Sequence, residues 1–401
     1  MFKHIIIGGG ISGLYIGYQL LKKGQDFLII EKNKENKKCY SKLCSLKYET
    51  NKNDDFTIEY GASVIHSNQP NIMKLAYELE LTNDLDLIGN PKMFRYHPFF
   101  SNEEMKKKVQ EIDKKILSKL NIIPVDFTVK EACKAFLTNE EYEIYKTCYP
   151  EWYEVQGQNA NVFFPYLKKI GEYMYFKNGI QQIINKLIIK LKDYIIFDSD
   201  VKTITYQPYS QKYNIKIKGV KRLFECDKLY LCVSAKMAKQ IEILNLSSLE
   251  KYLELGKGVS SMRFYVYFKN PINIDYKFIV GKFACKWSIK ITDRMWLITY
   301  PDGKLADHLN SYSEEQLIKL WIKEINMIFK LEISYRDVKY YTKMYWDDAF
   351  TILNKNFYET FGESNYGTYI RSILPNSLKV TSLPKDQGEE TAWIESHLIN
   401  I

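Results

Sequence analysis

Near the start of the chain, Gly8-Gly9-Gly10-Ile11-Ser12-Gly13 satisfies the spacing G-x-G-x-x-G, and Glu31 stands at the end of the next apolar run. Each glycine has a physical task. Gly8 permits a tight strand-to-helix turn, Gly10 lets the backbone approach a pyrophosphate, and Gly13 allows a helix to pack closely on a sheet. The helix that opens at Ile11 and Ser12 offers unpaired N–H groups and partial positive charge to phosphates. Glu31, followed by Lys32, can accept hydrogen bonds from both ribose hydroxyls, which favours FAD or NAD over NADP. The chemistry this text points to is dinucleotide binding.

The elements that must position these residues are legible beside them. Phe2 to Ile7 is a short apolar run fit for a buried parallel strand. Ile11 to Lys23 carries helical periodicity, and Lys22, Lys23 and Gly24 end it with basic charge and a C-terminal glycine. Asp26 to Ile30 is a second strand, Glu131 to Tyr145 reads as a helix, and Glu314 to Phe329 reads as an amphipathic helix. At 401 residues the chain is long enough for about two domains. Its 46% hydrophobic and 26% charged residues exclude a disordered chain or a small disulfide scaffold. No uncharged apolar run is long enough for a membrane helix, and no signal peptide precedes the first strand. A cytoplasmic location is expected. The Lys, Asn, Ile and Tyr bias matches an A+T-rich genome such as that of a large DNA virus, whose cytoplasm would be the host's. The seven cysteines are scattered with no C-x-x-C pair, so reduced thiols and no metal are expected. The net charge is +9, but only six of the 57 basic residues are arginine and the rest are dispersed, which argues against nucleic acid.

Further motifs follow in order. They are Glu59-Tyr60-Gly61-Ala62, Lys177-Asn178-Gly179-Ile180 before an amphipathic helix (Gln181 to Leu191), and Val201-Lys202-Thr203-Ile204. Then come the strand from Asp227 to Ser234 and, near the end, Ala392-Trp393-Ile394-Glu395. This series resembles the flavin-containing amine oxidase family over nearly the whole chain. The resemblance implies an α/β fold with an FAD-binding Rossmann-like domain and a second α+β substrate domain built on an antiparallel sheet. It implies FAD rather than NAD. Val201 would then contact the adenine through its backbone. Gly61, Ala62 and Ser63 would lie near the isoalloxazine, Trp393 would face the flavin ring, and the helix from Ile394 would point its N-terminus at the pyrimidine end. Four places depart from the family pattern: Cys39 to Lys42, where a G-G-R segment is expected, Thr381-Ser382, Ala392 and Ser396. Ser382 would give one hydrogen bond to the ribityl chain, and Lys42 would partly replace the arginine.

The resemblance also implies a reaction. A hydride equivalent moves from the carbon beside an amine nitrogen to flavin N5, and O2 reoxidises the flavin to give hydrogen peroxide. An aromatic-walled slot suits the amine. Trp393 is one wall and Phe350 the opposite one. Arg263 falls nearest the place of a family lysine that holds a water, and it cannot act as a base. His66 either borders the flavin or makes a structural hydrogen bond. No cysteine lies between Tyr341 and Ile401, so the flavin is expected to be non-covalent. Partners are a small-molecule amine and O2, with no membrane and an unassigned oligomeric state. Two other readings stay open: a catalytically degenerate flavoprotein-like protein kept for structure or partner binding, and an FAD enzyme of the desaturase or protoporphyrinogen-oxidase kind. The expected FAD domain takes residues 1–75, 190–255 and 370–401, and the substrate domain 76–189 and 256–369. The chain ends just after the C-terminal flavin helix, so no membrane-anchoring tail is expected.

Overall fold

Strand β1 (Phe2–Ile7) of the computed structural model is buried on both faces, as its unbroken apolar run requires. Ile6 packs with the helix α1 (Ile11–Lys22) and the helix Gln181–Leu191 on one side, while Ile5 and Ile7 pack with Leu246, Leu249 and Leu253 on the other. The structure describes residues 1–35, 37, 41–48, 56–89, 91–149, 152–167, 172–254, 256–353, 375 and 377–380. Trp393, Ile394 and Ser382, with Thr381, Ala392, Ser396 and Cys39, lie outside them.

β1 runs parallel to β2 (Phe27–Ile30) on one side and to the strand Leu223–Leu231 on the other. That sheet continues through Ile195–Ile196 beyond β2, and through Lys212–Ile217, Val201–Gln207 and Glu242–Leu244 on the opposite flank. Leu378–Val380 adds to it by pairing with Leu229 to Leu231. A second sheet has six strands, in the order Val338–Leu353, Gly256–Phe268, Met295–Thr299, Trp287–Lys290, Phe278–Gly281 and Met93–Tyr96. One face packs on the helix Glu314–Phe329 through the fully buried Trp321. The other face, carrying Tyr265 and Tyr267, packs on the hairpin Ser45–Tyr48/Phe56–Glu59. Hydrogen bonds tie that seam, among them the Tyr265 hydroxyl donating to Glu59 O at 2.7 Å and Trp346 Nε1–H donating to Tyr60 O at 2.7 Å.

The helices Gln181–Leu191 and Glu314–Phe329 fall where the periodicity predicts them. The single helix read over Glu131 to Tyr145 is instead two, Val129–Phe136 and Asn139–Cys148. The break is made at Thr138, whose hydroxyl accepts the Glu141 N–H while the Glu141 carboxylate accepts the Thr138 N–H. This reciprocal cap satisfies two N–H groups that a continuous helix would have bonded internally. Cys44 is disulfide-bonded, which corrects the expectation of seven reduced thiols. The five free cysteines among the described residues are all buried. No helix among the described residues is long and apolar enough to cross a membrane, and they contain no metal-ligand cluster.

Candidate functional site

The turn between β1 and α1 shows why glycine stands at its key positions. Gly8 has φ +103°, a region L side chains rarely adopt, and a Cβ there would lie 2.4 Å from Cys232 O. A Cβ on Gly13 would lie 1.9 Å from Gly8 O, so helix and strand touch backbone to backbone. Gly10 is different, because a Cβ there meets nothing within 4 Å. Gly10 is also the N-cap of α1, with no side chain capping it and no acid in the first turn. The first N–H groups of α1 are thus presented without a protein capping group, at the positive end of the helix dipole.

These residues open onto a cavity of about 530 Å³. Gly8, Gly10, Ile11 and Ser12 line it, together with Glu31, Lys32, Val201, Ser41 and Lys42. The Glu31 carboxylate is 5% exposed. One oxygen accepts the Gly9 N–H at 2.6 Å, and the other accepts Asn33 N–H and Nδ2–H at 2.8 and 2.7 Å. Gly13 lies beneath the cavity as a packing residue. The half-buried Lys42 ammonium has its pKa pushed down by lost hydration, with Asp348 and Asp347 pulling it back up.

Lys42 also joins this cavity to a second one. Its carbonyl accepts the Ala62 N–H at 3.1 Å, and a Cβ on Gly61 would lie 1.8 Å from that same oxygen. The next residue, Ser63, lines a cavity of about 930 Å³. Its walls include Tyr173, Tyr276, Phe278, Trp287 and Tyr300, together with Arg263 and Arg95. Arg263 is 3% exposed, and its guanidinium sits 3.5 Å from the centroid of the Tyr300 ring. His66 is fully buried, with its ring centroid 4.3 Å from that of Tyr173.

The structure therefore gathers Gly8, Gly10, Ile11, Ser12, Glu31, Lys32 and Val201 around the first cavity. It places Ser63 and Arg263 at the second, with His66 one ring behind its wall. Phe350 pairs with Val259 across the two longest strands and is not among the residues lining either cavity, and Trp393, the wall it is expected to oppose, lies outside the described residues. Sequence reasoning did not single out Tyr173, Trp287, Tyr300 or Arg95.

A glycine turn on a parallel sheet, an uncapped helix start and an acid at the end of the second strand define a dinucleotide-binding α/β protein. The chain matches the NAD(P)-binding Rossmann-like domain over residues 6–79 and the family described as flavin containing amine oxidoreductase over residues 124–376. It belongs to that family. No curated protein matches the sequence. Among solved structures, cyclohexylamine oxidase from Brevibacterium oxydans IH-35A is similar with a TM-score of 0.71 at 13% identity, over 99% of this chain and 96% of that one. Wild-type putrescine oxidase bound to putrescine is similar with a TM-score of 0.72 at 13% identity, over 99% and 96%. These likenesses concern the fold.

The family implies a flavin, and the residues present fit a dinucleotide form of it. The open Gly10, the uncapped start of α1 and the buried carboxylate of Glu31 are the groups a pyrophosphate and a ribose require.

Proposed function

We propose that the protein is an FAD-dependent oxidase of a small amine, using non-covalent FAD and O2 and releasing hydrogen peroxide. The observation that supports this reading is the Lys42–Ala62 hydrogen bond, which joins Lys42 of the dinucleotide cavity to the residue before Ser63 of the aromatic cavity. When bound, FAD supplies the acceptor for the hydride equivalent removed from the carbon beside nitrogen.

The chain's own groups do the rest. The N–H groups of Ile11 and Ser12 hold the pyrophosphate, Glu31 holds the ribose, and Lys42 adds a positive charge where the first cavity closes. We place Gly61, Ala62 and Ser63 near the isoalloxazine on the strength of the sequence resemblance. The rings of Tyr173, Trp287 and Tyr300 exclude water and orient the amine. Arg263, buried against Tyr300, stays charged and holds a water or a substrate oxygen, and it cannot accept a proton. We place Trp393 and Ile394 at the flavin ring and Ser382 at the ribityl chain on the strength of the sequence resemblance. Such an oxidation needs little acid–base machinery, so the lack of a nucleophile–base pair is no obstacle.

The test is the visible absorption spectrum of the purified protein with and without added FAD, followed by peroxide release on adding amines. Flavin bands and peroxide are expected. A colourless protein that takes up no FAD would overturn the reading and favour a member of the family retained for its fold alone. Flavin released on acid denaturation is the expected sign of non-covalent attachment.

A further inference from the structure

Two acids of the second sheet lie beside the dinucleotide cavity. The strand Val338–Leu353 pairs with the strand Gly256–Phe268 at Phe350 with Val259 and again at Trp346 with Ser261. Between these pairs the first strand advances four residues and the second two, so Asp347 and Asp348 sit in a bulge. A bulge re-aims side chains away from the ordinary alternation of a strand. Asp347 is bound to Lys236, in the short helix Ala235–Ala238 that follows the cavity residues Val233 and Ser234. Thr351, just past the bulge, lines the same cavity as Lys42.

Asp348 is 8% exposed, and both its carboxylate oxygens are buried with no hydrogen-bond partner. A Cβ on Gly258 would lie 2.3 Å from its Oδ1, so the carboxylate lies against bare backbone. A carboxylate withdrawn from water without hydrogen bonds is costly unless a cation balances it. The buried cation it acts on is Lys42. Burial disfavours the Lys42 ammonium, and the charges that oppose this are Asp348 first and Asp347 second. Asp348 also acts on Lys236, but that lysine is exposed and already held by Asp347. Glu31 and Lys32 share the cavity with Lys42, and the Glu31 carboxylate is taken up by Gly9 and Asn33.

We propose that Asp348 is a positioning residue for the cofactor: from the bulge of the second sheet it holds Lys42 as a charged ammonium at the dinucleotide cavity, ready for the negative charge of FAD. This rests on the FAD reading above.

The test follows FAD release from the diluted holoprotein, read as recovery of flavin fluorescence, from about pH 6 to about pH 9. The wild-type protein is expected to hold FAD with little change over this range. Asp348→Asn keeps the size of the side chain and removes its charge. Burial then lowers the proton affinity of Lys42 with only Asp347 to oppose it, so the ammonium is lost as pH rises. FAD should be held almost normally at the acid end and about tenfold more weakly at the basic end. Lys42→Arg, whose charge persists throughout, should remove that pH dependence when combined with Asp348→Asn. Equal weakening at every pH, the same pH-dependent weakening in the Lys42→Arg background, or no weakening at all overturns the proposal. If the wild-type protein takes up no FAD, the cofactor reading fails instead, and urea midpoints decide. Non-additive losses from Asp348→Asn and Lys42→Met then support the pairing, and additive losses overturn it.

Discussion

The Glu31 carboxylate accepts the Gly9 N–H at 2.6 Å from a neighbouring strand end, so the acid that faces the dinucleotide cavity also fixes the glycine turn. A Cβ on Gly9 would lie 3.1 Å from the Glu31 side chain, which shows how closely the two pack. Cofactor recognition and turn geometry share one side chain. Glu31→Gln should therefore do two things at once. It should lower stability by about 1.5–3 kcal/mol, the range for a hydrogen bond to a charged group, seen as a lower urea midpoint. It should also weaken FAD retention on gel filtration. A variant that loses FAD at unchanged stability would show that the turn does not depend on Glu31.

Two glycines of the same motif should respond in opposite ways. Gly13→Ala puts a methyl 1.9 Å from Gly8 O, and backbone cannot yield as a side chain end can. Loss of several kcal/mol and little soluble protein are expected. Gly10→Ala meets nothing within 4 Å. It should fold with near-normal melting behaviour and lose FAD, because the added methyl occupies space the pyrophosphate needs. Calorimetry and flavin absorbance on the same preparations separate the two.

Arg263→Met removes a buried guanidinium from the Tyr300 face and keeps much of its length. The flavin spectrum should persist while the rate of anaerobic flavin reduction by an amine falls about tenfold or more, the scale on which positioning contacts act. Stopped-flow absorbance checks this. Arg263→Lys should recover part of the rate if charge matters, and none if the planar stack on Tyr300 is what matters.

His4 gives a pH prediction. Burial first, then Lys228 and Lys3, holds its pKa below the ordinary 6.5. The unfolded state then binds more protons than the folded state at mildly acidic pH, so unfolding becomes easier as protons are added. The contribution is complete above 6.5 and is lost as pH falls from there through the folded-state value. Urea midpoints measured between pH 7 and pH 5 should decline, and His4→Gln should reduce that slope while costing some packing beside Tyr230. An unchanged slope would mean that other groups carry it.

Much of this was legible in the sequence because it is local. The turn at Gly8, the start of α1 at Ile11 and the two amphipathic helices follow from periodicity and from φ and Cβ constraints that neighbours in sequence impose. The capping box at Thr138 and Glu141 was equally local, and the apolar rhythm on either side concealed it. What was not legible is the second cavity. Arg95 and Trp287 come from two strands of the six-stranded sheet, Tyr300 follows the end of a third, and Tyr173 comes from another element, so no spacing rule relates them. Phe350 is another such case, because its register opposite Val259, next to an irregularity before Ser261, is set by strand pairing and not by its closeness to Trp346 in sequence.

The position of β1 has a consequence for how the chain reaches this state. Its outer partners are β2, made soon after it, and Leu223–Leu231, made more than half a chain later. Until that strand leaves the ribosome, one edge of this buried strand has nothing to pair with. Closing so long a loop is slow and costs entropy before any contact repays it. An isolated fragment of residues 1–79 should therefore stay unfolded or aggregate, and during synthesis the glycine turn after β1 should be among the last parts to become protected from proteolysis.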